Sequence, residues 1–149
     1  MRHRRDPAHG VLRTWGGPTI VFITANTRIR KPLLDNPRMR DALCSLWSDS
    51  SRWTVGRYVI MPDHVHLFAS PTTEQQSLEV WMRYWKHALG QKLSLPNGFW
   101  QQGHWDTRMR SPTQYEEKWH YVLENPVRKG LVERPEDWPY SGEVHELGW

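Results

Sequence analysis

One cysteine, Cys44, stands alone in a chain of 149 residues. It cannot form an internal disulfide or build a cysteine-based zinc site. Its setting, Ala42-Leu43-Cys44-Ser45-Leu46-Trp47, reads as packing, with nothing nearby to stabilise a thiolate. A run of about 18 apolar residues is also missing, so no segment reads as spanning a membrane. The charged start, Met1-Arg2-His3-Arg4-Arg5-Asp6-Pro7, lacks the apolar stretch of a signal peptide, and an intracellular protein is expected. Acidic residues are scarce early in the chain. Residues 1–40 carry nine Lys/Arg against two acids, 41–110 seven against six, and 111–149 four against eight, for local balances of +7, +1 and −4. A basic amino-terminal third suits a phosphate backbone, because neutralising phosphates releases counterions. It equally suits a solvated basic face.

Aromatic bulk stands in for modest aliphatic content: ten Trp, five Tyr and three Phe. The length suits one domain over 1–149, with a basic segment over about 1–18 and a short carboxy-terminal extension over about 127–149. Thr19 to Ala25 reads as a first strand, entered through Gly16-Gly17-Pro18. Asn36 and Pro37 then open a helix with Met39, Leu43, Leu46 and Trp47 on one stripe. Trp53 to Met61 and His64 to Ala69, linked by Pro62-Asp63, read as adjacent antiparallel strands. Thr73-Glu74-Gln75-Gln76 resembles a capping box for a long amphipathic helix that buries Leu78, Trp81, Met82, Trp85, Ala88 and Leu89. His104 to Arg110 reads as a fourth strand, and Ser111-Pro112-Thr113-Gln114 caps a last helix that ends near Asn125. The order predicts an α+β fold: a ferredoxin-like (RRM-like), four-stranded antiparallel sheet with helices mainly on one face.

Three residue sets can carry chemistry. His64-Val65-His66 places two imidazoles on one strand face, where both can reach one metal ion while Val65 packs inward. With eight His in the chain, roughly 0.4 such pairs arise by chance, so surface or packed histidines stay in play. On the last helix, Gln114, Lys118, Tyr121 and Asn125 step along one polar side, away from Tyr115, Trp119 and Val122. An amide oxygen at Asn125 can complete a site of two His and one oxygen, which suits Mg²⁺ or Mn²⁺. The Tyr121 phenol can be a nucleophile, with Lys118 and Gln114 in support, or it can simply cap the core with its hydroxyl in water. The third set interleaves aromatics with cations: Trp100, His104, Trp105, Arg108, Arg110, Arg13 and Trp15, joined by Arg4, Arg5, Arg83 and Lys86. Such residues stack on unpaired bases and follow the backbone of a single strand. Most of the ten Trp are expected in the core.

Read together, the segments Tyr58-Val59-Ile60-Met61-Pro62-Asp63-His64-Val65-His66-Leu67 and Tyr121-Val122-Leu123-Glu124-Asn125-Pro126-Val127-Arg128-Lys129-Gly130-Leu131-Val132 closely resemble the REP-associated tyrosine transposases. These are relatives of the single-tyrosine insertion-sequence transposases in the HUH nuclease superfamily. Phe22-Ile23-Thr24, Trp100-Gln101 and Glu136-Asp137-Trp138-Pro139-Tyr140-Ser141 extend the match across about 14–142. The resemblance implies His64, His66 and Asn125 as ligands of a divalent metal and Tyr121 as nucleophile, with Tyr115 the runner-up. No nucleotide cofactor is implied. It implies cutting of single-stranded DNA beside small palindromic hairpins with a short guide sequence, through a 5′-phosphotyrosyl link, in a bacterial, nucleoid-associated cytoplasmic setting. The basic start and residues around Trp15 to Thr19 would read the foot of the hairpin, and the protein would act as a monomer or homodimer. Two alternatives remain: a hairpin-binding relative that no longer cuts, and a ferredoxin-like RNA-binding module. The latter lacks the paired aromatics that such modules carry on their central strands.

Overall fold

The computed structural model describes residues 19–72 and 76–149. The elements run β1 (Val21–Asn26), α1 (Pro37–Trp47), β2 (Trp53–Met61), β3 (His64–Pro71), α2 (Leu78–Leu93), β4 (Trp105–Arg108), α3 (Pro112–Leu123), α4 (Asn125–Arg128) and β5 (Ser141–Glu143). One antiparallel sheet has the order β4-β1-β3-β2-β5. The α+β fold with an antiparallel sheet is as expected, but the four-stranded expectation is corrected. Ser141–Glu143 adds a fifth strand to the free edge of β2, pairing Tyr58 with Gly142. A side chain at Gly142 would collide with the Tyr58 ring, its Cβ falling 2.7 Å from the hydroxyl, so glycine lets β5 approach this closely.

The expectation of helices mainly on one face is corrected as well. Alternation along β3 sends Val65, Leu67 and Ala69 into one core with α1 and α2, and Phe68 into another with α3. On the first face Trp47, Trp53, Trp81, Trp85 and Trp100 are buried against the sheet. On the second, Tyr115 and Val122 of α3 meet Val59, Met61 and Phe68, and Trp138 donates its indole N–H to the Ile60 carbonyl at 3.0 Å. Because β2 and β3 bury side chains on both faces, each face needs a helical cover.

Helix starts follow local chemistry. Asn36 accepts from Met39 N at 2.9 Å at the start of α1, and Ser111 accepts from Gln114 N at 3.0 Å at the start of α3. The cap of α2 differs from the expected box. Ser77 serves, accepting from Val80 N at 3.1 Å, while Thr73 to Gln75 lie outside the described residues. Cys44 is half-buried beside Tyr58, and desolvation raises its pKa, which keeps the thiol protonated as packing requires. Among the described residues no helix is long and apolar enough to cross a membrane.

Candidate active site

The site forms on the α3 face of the sheet, where β1 and β3 lie side by side. Thr24 stands opposite His66, and Asn26 opposite His64. Cross-strand partners share a face, so the hydroxyl of Thr24 reaches the His66 ring at Nδ1, 2.9 Å away. Phe22 stacks on the same imidazole, with ring centroids 5.3 Å apart. Asn125 brings its amide Nδ2 to 3.3 Å from His66 Nε2. With the amide in this orientation Nε2 of His66 is the acceptor, and the ring proton then lies on Nδ1, facing Thr24. His64 follows the same pattern. Its Nδ1–H donates to the Asp63 carboxylate at 2.8 Å, and Arg30 holds the other carboxylate oxygen at 2.9 Å. Both Nε2 atoms are thus left as acceptors, and the two rings sit 4.7 Å apart at 76°.

Electrostatics hold both rings neutral. Burial lowers the pKa of His66 to about 3, reinforced by the repulsion that a protonated His64 would add and by the charges of Lys118 and Arg128. Burial also lowers that of His64, against the pull of Asp63. Neutral imidazoles oriented from behind by a hydroxyl and a carboxylate are what a divalent metal ion takes as ligands. Asn125 adds an amide, and a half-turn about its last side-chain bond exchanges Nδ2 for Oδ1. Two imidazole nitrogens and one amide oxygen would then stand together as three metal-ligand atoms. Among the described residues no group of three or more His, Cys, Asp or Glu is placed to hold a metal ion, so a metal here would depend on the amide of Asn125 besides the two histidines.

Tyr121 lies on α3, 60% exposed. The Arg128 guanidinium stacks 3.8 Å from its ring centroid and donates to its carbonyl at 2.7 Å, while the Lys118 ammonium lies 5.7 Å from the ring. The phenol ring thus carries a cation–π contact from Arg128 and has a second cation, Lys118, nearby. Tyr115 is buried against Phe68, and desolvation raises its pKa, which leaves it poorly placed to attack anything. Asn125 is not on the Tyr121 helix as expected. The helix ends at Leu123, and Asn125 opens the one-turn α4. Pro126 marks this break: it has no N–H to carry on the hydrogen-bond ladder of α3, and it sits in the first turn of α4, where none is needed.

The other predicted residues divide. Lys118 joins the site, also lying 5.1 Å from the Phe22 ring. Gln114 does not: its side-chain oxygen accepts from Arg110 N and its N–H donates to Ser111, so it is committed to the helix start. Arg83, Lys86 and Trp105 line a cleft of about 950 Å³ between α2 and the segment that includes Phe99 and Trp100. There Lys86 is already bound to the Gly103 carbonyl at 2.9 Å, and burial lowers its pKa to about 8. Arg108 stands opposite Val21, three residues along β1 from the Thr24 position, and Arg110 is exposed beyond it. Arg4, Arg5, Arg13 and Trp15 lie outside the described residues. Sequence reading passes over Arg128, Asp63, Arg30 and Thr24. For Thr24 the available signal is strand register; for Arg128 it is a position two turns beyond Tyr121.

The chain is 28% identical over 127 residues to the REP-associated tyrosine transposase of Escherichia coli (strain K12), covering 80% of this chain and 73% of that one. A putative REP-associated tyrosine transposase of Haemophilus influenzae is 27% identical over 95 residues, 55% of this chain and 54% of its own length. The resemblance to REP-associated tyrosine transposases holds. A solved REP-associated tyrosine transposase bound to a REP hairpin has the same fold, with a TM-score of 0.72 at 21% identity, covering 99% of this chain and 93% of that one. No protein-family model matches the chain. The chain therefore shares its architecture with that solved transposase, while spanning about half of the Haemophilus relative.

Proposed function

We propose that this protein cuts and rejoins single-stranded DNA carrying small hairpins, with Tyr121 as nucleophile and a divalent metal ion held by His64, His66 and Asn125. One observation carries the reading. Two neighbouring imidazoles, an amide against Nε2 of one of them, and an exposed phenol with two cations against its ring, one of which also reaches Phe22 beside His66, support it together. The phenol oxygen attacks the scissile phosphorus, and the bond from phosphorus to the 3′-oxygen breaks. The phenol loses its proton, the departing 3′-oxygen gains one, and the 5′-phosphate stays on the tyrosine. Lys118 and Arg128 offset the negative charge on the phenol oxygen as it forms. A bound Mg²⁺ or Mn²⁺ would polarise the phosphate and offset the charge that develops there. The phosphotyrosyl bond retains the energy needed for rejoining, so no nucleotide cofactor is required.

The test is a denaturant-resistant protein–DNA band after incubation with hairpin-bearing single strands and metal. Tyr121→Phe is expected to abolish the band while binding stays within a few-fold. An adduct that persists in this variant moves the nucleophile to Tyr115. His64→Ala is expected to lose metal-dependent cutting, and cutting that survives chelation removes the metal from the scheme. Wild-type protein that binds hairpins but never forms an adduct favours the binding-only reading.

A further inference from the structure

Beside His64, on the side away from Thr24, a pocket of about 280 Å³ opens between the segment at Arg30 to Pro32 and the end of α4. Its cations are Arg30, Lys31 and Lys129, and its one acid is Asp63. Asp63 is already satisfied by Arg30 and His64, so the two lysine charges remain uncompensated within the pocket. Pro32 and Leu131 form an apolar wall, with Leu131 left 42% exposed.

The walls are fastened before any ligand arrives. The Pro62 carbonyl accepts from Leu33 N and Leu34 N, each at 2.9 Å, and the Asp63 carbonyl accepts from Thr27 N at 3.0 Å. The segment carrying Arg30 and Lys31 is therefore tied at both ends to the turn that precedes His64. On the other side, Gly130 takes a left-handed conformation (φ 75°) and Leu131 N returns to the Pro126 carbonyl at 2.9 Å. That turn fixes Lys129 and Leu131 relative to Asn125.

We propose that this pocket holds a nucleotide next to the one attacked, its phosphate on Lys31 and Lys129 and its sugar and base against Pro32 and Leu131. The proposal rests on the strand-cutting reading and adds the course of the strand past His64. Two uncompensated ammonium groups call for an anion. The apolar wall and the volume exceed what a lone phosphate fills, and the pocket's edge at His64 makes it continuous with the scissile position. A single strand meets all three conditions, because it presents a phosphate and an unpaired base at each step.

The test uses the full chain in the Tyr121→Phe background, which on the above reading binds without cutting. The probe is a hairpin-bearing single strand selected on this protein from a pool with randomised tails. Each tail phosphate is replaced in turn by a neutral methylphosphonate. One position is expected to lose about tenfold in affinity. The Lys31→Ala/Lys129→Ala double variant is expected to bind about tenfold more weakly, to lose nothing further at that position, and to show a salt dependence shallower by about one. Undiminished binding by the double variant, or a further loss at every phosphate alike, overturns the pocket. A thermal unfolding curve matching the parent's rules out misfolding, and Lys31→Arg/Lys129→Arg is expected to restore affinity. An adduct formed by wild-type protein with no lysine effect on binding sinks the pocket alone. A position-specific lysine effect without any adduct sinks the cutting reading and leaves the pocket a DNA-backbone site. Failure to select any binding DNA overturns both.

Discussion

The two faces of the sheet are built from the same strands and do opposite things. Against α1 and α2 the strands present Val65, Leu67 and Ala69, and a tryptophan cluster seals them: Trp85 meets Trp47 and Trp100 edge-on at 5.5 Å. Against α3 the alternate residues of β3 are His64, His66 and Phe68, and only the Phe68 end is closed by Tyr115, Val122 and Trp138. Moving along β3 from Phe68 to His64 is a passage from core to site within five residues. A closed face supplies rigidity, and the half-open face spends that rigidity on holding polar groups that a flexible surface would not orient.

Breaking the open face should remove activity without touching stability. Tyr121→Phe is expected to lose adduct formation altogether, while its urea midpoint stays within about 0.5 kcal/mol of wild type, since the lost hydroxyl belongs to an exposed residue. The closed face should respond in reverse. Trp85→Ala empties a fully buried site and is expected to cost about 3–5 kcal/mol in urea unfolding. Whatever fraction remains folded should still form adduct. A folded Trp85→Ala protein unable to cut would show that the faces are coupled more tightly than their separate cores imply.

Acid offers a finer comparison, because it acts on the open face through His66. Unfolded, this histidine takes up a proton below its ordinary value near 6.5. Folded, burial holds it off until about 3. Between those values each proton favours the unfolded chain, so stability is fully present above pH 6.5 and declines as pH falls through that window. One such group sets a slope of up to about 1.4 kcal/mol per pH unit. His66→Gln is expected to flatten the urea midpoint between pH 6 and 4 by about that amount or somewhat less. An unchanged slope would mean that His66 is not held neutral by its surroundings.

How much of this the sequence discloses also differs between the faces. Apolar periodicity locates α1 and α2, because burial enforces it at every turn, while β1 to β3 are located by runs of β-branched and aromatic residues between turn residues, and β4 only as a stretch of mixed polarity. The pairing of His64 with His66 is readable as a period of two, and Tyr121 separates from Tyr115 by lying off the apolar stripe. What escapes is what depends on register or on weak local pattern. Thr24 becomes the His66 partner only once β1 and β3 align. Ser141–Glu143 has three residues and no alternation, so its pairing with β2 leaves no periodic trace. The second helical cover was visible in principle, since β2 is buried at nearly every position and a one-sided sheet would not require that.

The smallest expected effect separates the faces most cleanly, because the same chemistry occurs on both. Asn36 caps α1 and Ser111 caps α3, each accepting from a backbone N–H three residues on, at 2.9 and 3.0 Å. Asn36→Ala and Ser111→Ala are each expected to cost about 1 kcal/mol, read as matching shifts of the urea midpoint. Their consequences for cutting should diverge. Helix α1 carries no group of the site, whereas α3 carries Lys118 and Tyr121 and leads into Asn125. Loosening the first turn of α3 also frees Gln114, which otherwise binds Arg110 N and joins the helix start to the end of β4. Ser111→Ala should therefore slow adduct formation several-fold at a temperature where both variants are fully folded, and Asn36→Ala should not. Equal slowing in the two would mean that adduct formation follows overall stability rather than the placement of α3.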